Sequence, residues 1–351
     1  MSFKIANKFL KNYGRPFIVA EAGVNHNGSL KKALKMIEIA KESNCDAIKF
    51  QTFKADELVK DKKLNFSYFS QGKKITEKMN KMFKRYELKD NDWSVIKKYC
   101  DKKKIIFFST PQNLNDLKKL LKLNVPAIKV GSDDFTNLKL IQDYLSFNKP
   151  VILSTGMSYK KNFLDVLKIK GVLKKKIIFL LCTSEYPTKH KNVNINKFNN
   201  IKKIINKNHL IGFSDHTQDN TASILALSYG CCFFEKHFTI SNNLPGPDHW
   251  FSLNPSELNS WVKSLRNAYD CLGNAKIVPT FNEKKNIKSF RRKIVAKNFI
   301  KKGNKIKISD LELLRISDKK ALDANKLNNL IGKKAISNFL PGKAIKVNDN
   351  I

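Results

Sequence analysis

Phe17-Ile-Val-Ala-Glu21, Leu30–Lys41 and Ala47-Ile-Lys-Phe-Gln51 decide the fold between them. The first and third stretches are short apolar runs that close on polar residues. The second carries apolar side chains at helical spacing. Strand, helix, strand in that order reads as a parallel pair joined by a crossover helix. The unit recurs. Further apolar runs lie at Ile105–Ser109, Ala127–Gly131, Val151–Ser154, Ile177–Leu181, Ile211–Ser214 and Phe233–His237. Helical patterns fall between them, as at Trp93–Lys102, Asn113–Leu121 and Thr221–Tyr229. Eight such units predict an α/β fold, a (β/α)8 TIM barrel. The competing architecture is a doubly wound open sheet. It would want a Gly-rich phosphate turn after the first strand, and GxGxxG is absent.

Nearly every run ends in a polar cluster: Glu21, Lys49 with Gln51, Ser109-Thr110, Lys129 with Ser132, Ser154-Thr155, Thr183-Ser184, Ser214 with His216, and Glu235 with His237. In a barrel these ends share one rim, where the active sites of this fold sit. Helix caps account for some Ser and Thr. They do not account for Lys, Glu and His at the ends of apolar strands, where a charge needs a partner or a task.

Composition narrows the function classes. The chain is 42% hydrophobic and 28% charged, an ordinary globular balance. No run reaches the length of a membrane span, and residues 1–10 lack the pattern of a signal peptide. The net charge of +37 invites a nucleic-acid reading. However, only six of the 67 basic residues are Arg, and the Lys residues are spread along the whole chain. Nucleic acid is therefore not expected as a partner, nor is a membrane. Six Cys without a C-x-x-C pair fit a reducing cytoplasm.

Three constellations carry chemistry. His216 and His237 close the seventh and eighth strands, which are neighbours in a barrel, so their imidazoles could share one divalent ion with open positions for substrate and water. Two hydrogen-bonded rim histidines are the alternative. Lys49 and Lys129, with Thr110, Ser132 and Ser154, suit a phosphate and carboxylate cradle. Lysines paired structurally with barrel carboxylates remain the alternative, and a Schiff-base aldolase would need only one desolvated Lys. Glu21 is a rim carboxylate able to handle protons, with Glu235 second.

Residues 52–90 are irregular and polar, with Phe66, Tyr68 and Phe69, and read as a long loop over the rim. The barrel is expected over residues 1–280 and a polar linker over 281–288. Residues 289–351 then form a small β-rich domain, in which Gly303-Asn-Lys-Ile-Lys-Ile-Ser-Asp310 is repeated as Gly342-Lys-Ala-Ile-Lys-Val-Asn-Asp349.

Ala20-Glu-Ala-Gly-Val-Asn-His-Asn-Gly28, Ala47-Ile-Lys-Phe-Gln-Thr52, Phe108-Ser-Thr-Pro111 and Lys129-Val-Gly-Ser132 closely resemble the sialic acid synthase family. So do Leu153-Ser-Thr-Gly-Met157, Cys182-Thr-Ser-Glu-Tyr-Pro187, Gly212-Phe-Ser-Asp-His-Thr217, Glu235-Lys-His-Phe238 and Pro245-Gly-Pro-Asp248, in family order along the chain. The C-terminal repeat resembles the antifreeze-like (SAF, β-clip) domain that these synthases carry. The resemblance implies condensation of phosphoenolpyruvate with an N-acylated hexose such as N-acetylmannosamine. It implies His216 and His237 as ligands of Mn2+ or Mg2+, and Lys49, Thr110, Lys129, Ser132 and Ser154 as the phosphoenolpyruvate site. Gln51, Asp134, Ser184, Tyr186 and Asp248 would surround the sugar. Arg315 would reach it from the partner subunit of a domain-swapped homodimer. The chain departs from the family pattern at Gln112, Asp133-Asp134 and Ser184, and after Arg315, where Ile-Ser replaces Pro-Gly. A related barrel acting on a phosphorylated sugar and a non-catalytic scaffold of the same fold are the competing functions.

Overall fold

All eight apolar runs form strands. The computed structural model, which describes residues 2–205 and 207–346, places them at β1 (Phe17–Gly23), β2 (Ala47–Thr52), β3 (Ile106–Pro111), β4 (Ile128–Val130), β5 (Val151–Ser154), β6 (Ile177–Cys182), β7 (Leu210–Asp215) and β8 (Phe233–His237). They pair in parallel in the order β3-β2-β1-β8-β7-β6-β5-β4. At the two ends of that order β3 and β4 pack against each other, so the sheet curls into a barrel. A strand buried on both faces has no reason to alternate, which is why these runs are continuously apolar.

Eight helices complete the units: α1 (Leu30–Glu42), α2 (Asp90–Lys103), α3 (Leu114–Lys122), α4 (Leu138–Ser146), α5 (Lys160–Leu167), α6 (Lys197–Ile205), α7 (Thr221–Ser228) and α8 (Pro255–Leu272). Their starts are written in the sequence. Asn113 accepts from the Asp116 amide at 2.9 Å, and Asn254 forms a capping box with Glu257 ahead of Pro255. Buried faces such as Met36, Ile37 and Ala40 of α1 and Leu258, Trp261 and Leu265 of α8 join the barrel core. Among the described residues no helix is long and apolar enough to cross a membrane.

Two hairpins are absent from the sequence reading. Ser2–Ile5 pairs with Lys8–Lys11, sending Phe3, Ile5 and Leu10 into the barrel core. Asn65–Ser70 pairs with Lys73–Lys78 inside the expected loop. Its Gln71-Gly72 turn has positive φ at both residues, 51° and 75°, which suits a two-residue hairpin. The hairpin is mostly exposed, so burial writes no apolar alternation into it.

A second compact unit begins at Asn274, whereas the sequence reading ends the barrel at 280 and starts the small domain at 289. The segment expected as a linker is helical: Phe281–Phe290 is nucleated by a Thr280–Glu283 capping box. Beyond it Lys293–Ala296 pairs antiparallel with Leu311–Leu314, around a core that includes Ile294, Ile306, Phe339 and Ile345. The repeat is structural. Gly303 and Gly342 both turn with positive φ, 86° and 80°, and Ile306 and Ile345, at matching places, are both buried. Val347, Asn348 and Asp349 of the second copy lie outside the described residues.

On the outer side of β7 and β8, Lys236 donates to Asp215 at 2.9 Å, Ser223 donates to Asp215 at 2.6 Å, and the Trp261 indole donates to Ser223 at 2.9 Å. All four side chains are buried. Asp215→Ala leaves a buried ammonium without its counter-charge. It is expected to cost about 3–5 kcal/mol in denaturant unfolding, and a loss below about 1 kcal/mol would show that Lys236 reaches water.

Candidate active site

Alternation along β8 sends Glu235 and His237 to the opposite face from Lys236. Register does the rest: Glu21 of β1 lies level with Lys49 of β2 on one side and His237 of β8 on the other. The β1–β2 register shifts between Glu21 and Gly23, a bulge of the kind that re-aims side chains beside active sites.

Four charges meet in the barrel mouth. The Lys49 ammonium lies 2.8 Å from Glu21 and 3.8 Å from Glu235. Lys129 lies 3.7 Å from Glu235. Each lysine also donates to a rim hydroxyl, Lys49 to Thr110 at 2.9 Å and Lys129 to Ser154 at 2.7 Å. Ser214 donates to Glu235 at 3.2 Å, and the Gln51 amide reaches Glu21 at 3.4 Å. All four charged side chains are buried. Burial raises the Glu21 carboxyl to about 7 despite Lys49. Burial acts on Glu235 in the same sense, but Lys129 and Lys49 overcome it and hold that carboxyl below the usual range. Glu21 is thus the member of the quartet that exchanges a proton near neutrality.

The imidazoles of His216 and His237 face each other with centroids 5.6 Å apart. His216 Nδ1 lies 2.7 Å from the Thr183 carbonyl. A carbonyl only accepts, so Nδ1 carries a proton; burial pushes the His216 imidazole down, but Cys182 and the Thr183 carbonyl outweigh it and raise it above the usual histidine range. Burial, His216 and the two lysines hold His237 well below the usual histidine range, so it is neutral. Among the described residues its buried Nδ1 has no hydrogen-bond partner. Asp248 approaches from the loop after β8: a Cβ on Gly23 would stand 3.3 Å from His237 and 3.4 Å from Asp248. Burial raises the Asp248 carboxyl to about 6, a cost that a nearby cation would relieve. Among the described residues no group of three or more His, Cys, Asp or Glu could hold a metal. The two imidazoles would therefore need water or substrate to complete the coordination of an ion.

Tyr186 stacks near His216 at 4.2 Å and near Phe251 at 5.1 Å. A cavity of about 410 Å3 opens here, lined by Gln51, Tyr186, His237, Asp248 and Trp250, with Phe66 and Phe69 from the hairpin. Ser132 accepts from the Gly156 amide at 3.0 Å, and the buried Ser184 hydroxyl has no partner. Asp134, expected at the sugar, instead accepts from Asn137 at 3.1 Å before α4. Its neighbour Asp133 is the one whose field reaches Lys49. Arg315 ends the strand Leu311–Leu314 of the second unit, exposed, donating to the Phe290 carbonyl at 3.2 Å. Asp133, Ser214 and Phe251 were assigned no role from the sequence, although Asp133 was noted as a departure from the family pattern. Ser214 had a signal, as a polar strand end. Phe251 had none, because loop aromatics carry no periodicity.

Comparison with known proteins gives one direction. The NeuB family model matches residues 36–277. The N,N'-diacetyllegionaminic acid synthase of Campylobacter jejuni is 34% identical over 95% of this chain and 99% of its own. The enzyme of the same name from Legionella pneumophila is 34% identical over 94% and 93%. Among solved structures, the N-acetylneuraminic acid synthetase of Leptospira borgpetersenii superposes with a TM-score of 0.72 at 28% identity, over 82% of this chain and 95% of that one.

A Cβ on Gly156 would stand 2.3 Å from the Ser184 hydroxyl and 2.7 Å from that of Ser132. Gly156→Ala must therefore push both hydroxyls off the rim. It is expected to cut turnover at least tenfold while the thermal midpoint moves by only about 1–3 °C. Unchanged turnover would remove these two serines from the site.

Proposed function

The chain belongs to the NeuB family, and on that premise we propose that it joins phosphoenolpyruvate to the aldehyde of an open-chain N-acylated hexose, giving a nonulosonic acid and inorganic phosphate. The observation that carries this reading is the placing of two buried ammoniums, each on a rim hydroxyl, across the barrel mouth from two neighbouring imidazoles. One half suits a phosphorylated carboxylate, the other a divalent metal. His216 and His237 would hold Mn2+ or Mg2+, and such an ion supplies Lewis-acid polarisation of the aldehyde.

Lys49 and Lys129, with Thr110, Ser132 and Ser154, bind the phosphate and carboxylate of phosphoenolpyruvate. C3 of phosphoenolpyruvate attacks the aldehyde carbon, the new carbon–carbon bond forms, and C2 becomes electron-poor. Water adds at C2, and the resulting tetrahedral carbon expels phosphate by breaking its C–O bond. Charge grows on the departing phosphate, where the ammoniums stabilise it. One proton must reach the aldehyde oxygen and one must leave the attacking water. Glu21, poised near neutrality, handles the proton exchange; Glu235 stays ionised between the lysines and keeps them in place. Gln51, Ser184, Tyr186 and Asp248 surround the sugar. The apolar hairpin wall accommodates acyl groups, and the two 34% identical relatives put a 6-deoxy diacetamido hexose first among candidate substrates. The free cysteines fit a cytoplasmic enzyme.

Phosphate release from phosphoenolpyruvate tests the reading. It is expected to require both a divalent metal and an N-acylated hexose, to stop on chelation, and to fall at least a thousandfold in His216→Ala and in His237→Ala, with metal retention lost in both. Release that ignores chelator, or near-normal release in either variant, overturns the assignment.

We further propose a homodimer in which Arg315 completes the partner's sugar site. Mixed dimers of an Arg315→Ala subunit and a His216→Ala subunit hold one fully wild-type site if Arg315 acts in trans, so activity returns although both parents are inactive. Absence of recovery in verified mixed dimers assigns Arg315 to its own chain.

A further inference from the structure

At the opposite mouth of the barrel, where the strands begin, a second cavity of about 1150 Å3 lies among the turns that lead from helix to strand. It is ringed by Ala6 and Asn7 of the first hairpin turn, by Ser43–Asp46 before β2, by Lys104 and Ile105 before β3, by Asn124 before β4 and by Lys149 and Pro150 before β5. Four of these turns hold a non-glycine residue at positive φ: Asn44 at 60°, Lys104 and Asn124 at 54°, and Asn148 at 53°. The catalytic quartet lies at the other end of the same strands.

The charge around this cavity is one-sided. Eight basic and two acidic side chains line it. Both acids are already engaged, Asp46 by Lys8 at 3.2 Å and by Arg266 at 2.6 Å, and Asp101 by Lys97 at 2.5 Å. That leaves Arg15, Lys41, Lys104, Lys149 and Lys263 with no carboxylate in ion-pair range among the described residues.

Helix C-termini gather at this end of a barrel and attract cations by themselves. Lys41 does serve one, donating to the Lys104 carbonyl at 3.2 Å. Lys149 donates only to an amide oxygen, that of Asn124, at 3.4 Å. Arg15 and Lys263 make no ion pair, and Arg15 is one of six arginines in a chain that otherwise uses lysine. Asn124 and Asn148 spend their oxygens on Lys149 and Lys175, which leaves their NH2 groups as donors. The rest of the lining is mixed, with Asn7, Asn44 and Asn259 beside the partly exposed Ile106 and Pro126. Donors beside a small apolar patch, in a concavity large enough for a small molecule, suit a ligand that is polyanionic at one end and flat and apolar at the other.

We propose that this mouth binds a nucleoside triphosphate. Its oligophosphate lies among Arg15, Lys104, Lys149 and Lys263, and its heterocycle lies against Ile106 and Pro126. Binding is independent of the substrates, because the two sites occupy opposite ends of the barrel.

Isothermal titration of the full chain with ATP and with CTP tests this. The expected result is saturable binding, one nucleotide per chain, weakened by added salt and not displaced by phosphoenolpyruvate. The Arg15→Glu/Lys263→Glu variant should lose at least tenfold in affinity. A Lys118→Glu/Lys161→Glu variant, with the same charge change on exposed residues of α3 and α5, should lose less than twofold. Neither pair should alter turnover without nucleotide. Lys149→Gln, a milder change, should weaken binding several-fold and covers the case in which the first double variant fails to fold. Equal losses in the two double variants would mean general charge attraction and overturn the site. So would absence of saturable binding, displacement by phosphoenolpyruvate, inorganic triphosphate binding as tightly as ATP, or tighter capture of a single-stranded oligonucleotide than of either nucleotide.

Discussion

Four buried charges in one barrel mouth are the constraint that the rest of the catalytic unit has to satisfy. Lys49, Lys129, Glu21 and Glu235 are each too costly to bury alone. Glu21 and Lys49 face each other from adjacent strands at a fixed register, and Lys129 and Glu235 meet across the barrel mouth. A one-residue slip of β2 or β8 would send Lys49 or Glu235 to the helix side of the sheet and strand the remaining charges. The quartet therefore demands the register that the barrel provides. The outer pair Lys236–Asp215 makes the same demand from the other face of β8.

Strand positions and helix order were legible because burial on both faces writes a continuous apolar run, and eight such runs separated by amphipathic stretches admit few arrangements. The catalytic strand ends were legible for the converse reason. Lys49, Lys129, Glu235 and His237 break apolar runs where solvation cannot explain them. What escaped the sequence is what burial does not mark. The hairpin at Asn65–Lys78 is too exposed to alternate. The helix Phe281–Phe290 buries nothing, so its polar composition read as a linker although its capping box was present in the letters. The contact between Asn137 and Asp134 is made within a turn, and spacing does not carry it.

The two ends of the barrel solve opposite electrostatic problems. At the mouth that holds the quartet the cations and anions are buried and matched in number, so an anion entering there would have to find its place by redistributing protons among them. At the other end the cations are exposed and outnumber their carboxylates. Solvent screens them, and an incoming anion replaces water and salt instead of a protein carboxylate. A net charge of +37 sets the background for both, but only position decides which lysines can bind and which can take part in chemistry.

The asymmetry between the two glutamates follows from counting their cationic neighbours. Glu235 sits within 4 Å of both lysines, 3.8 Å from Lys49 and 3.7 Å from Lys129, and also accepts from Ser214. Glu21 touches one lysine and a neutral amide. When the quartet takes up a proton, it goes to the carboxylate with less support, and the cluster then carries one net positive charge. In the proposed reaction, binding a phosphorylated carboxylate and protonating Glu21 would therefore favour each other, since each is easier once the other has occurred. The proton that the sugar oxygen needs would then reach the mouth of the barrel in the same event that brings the nucleophile.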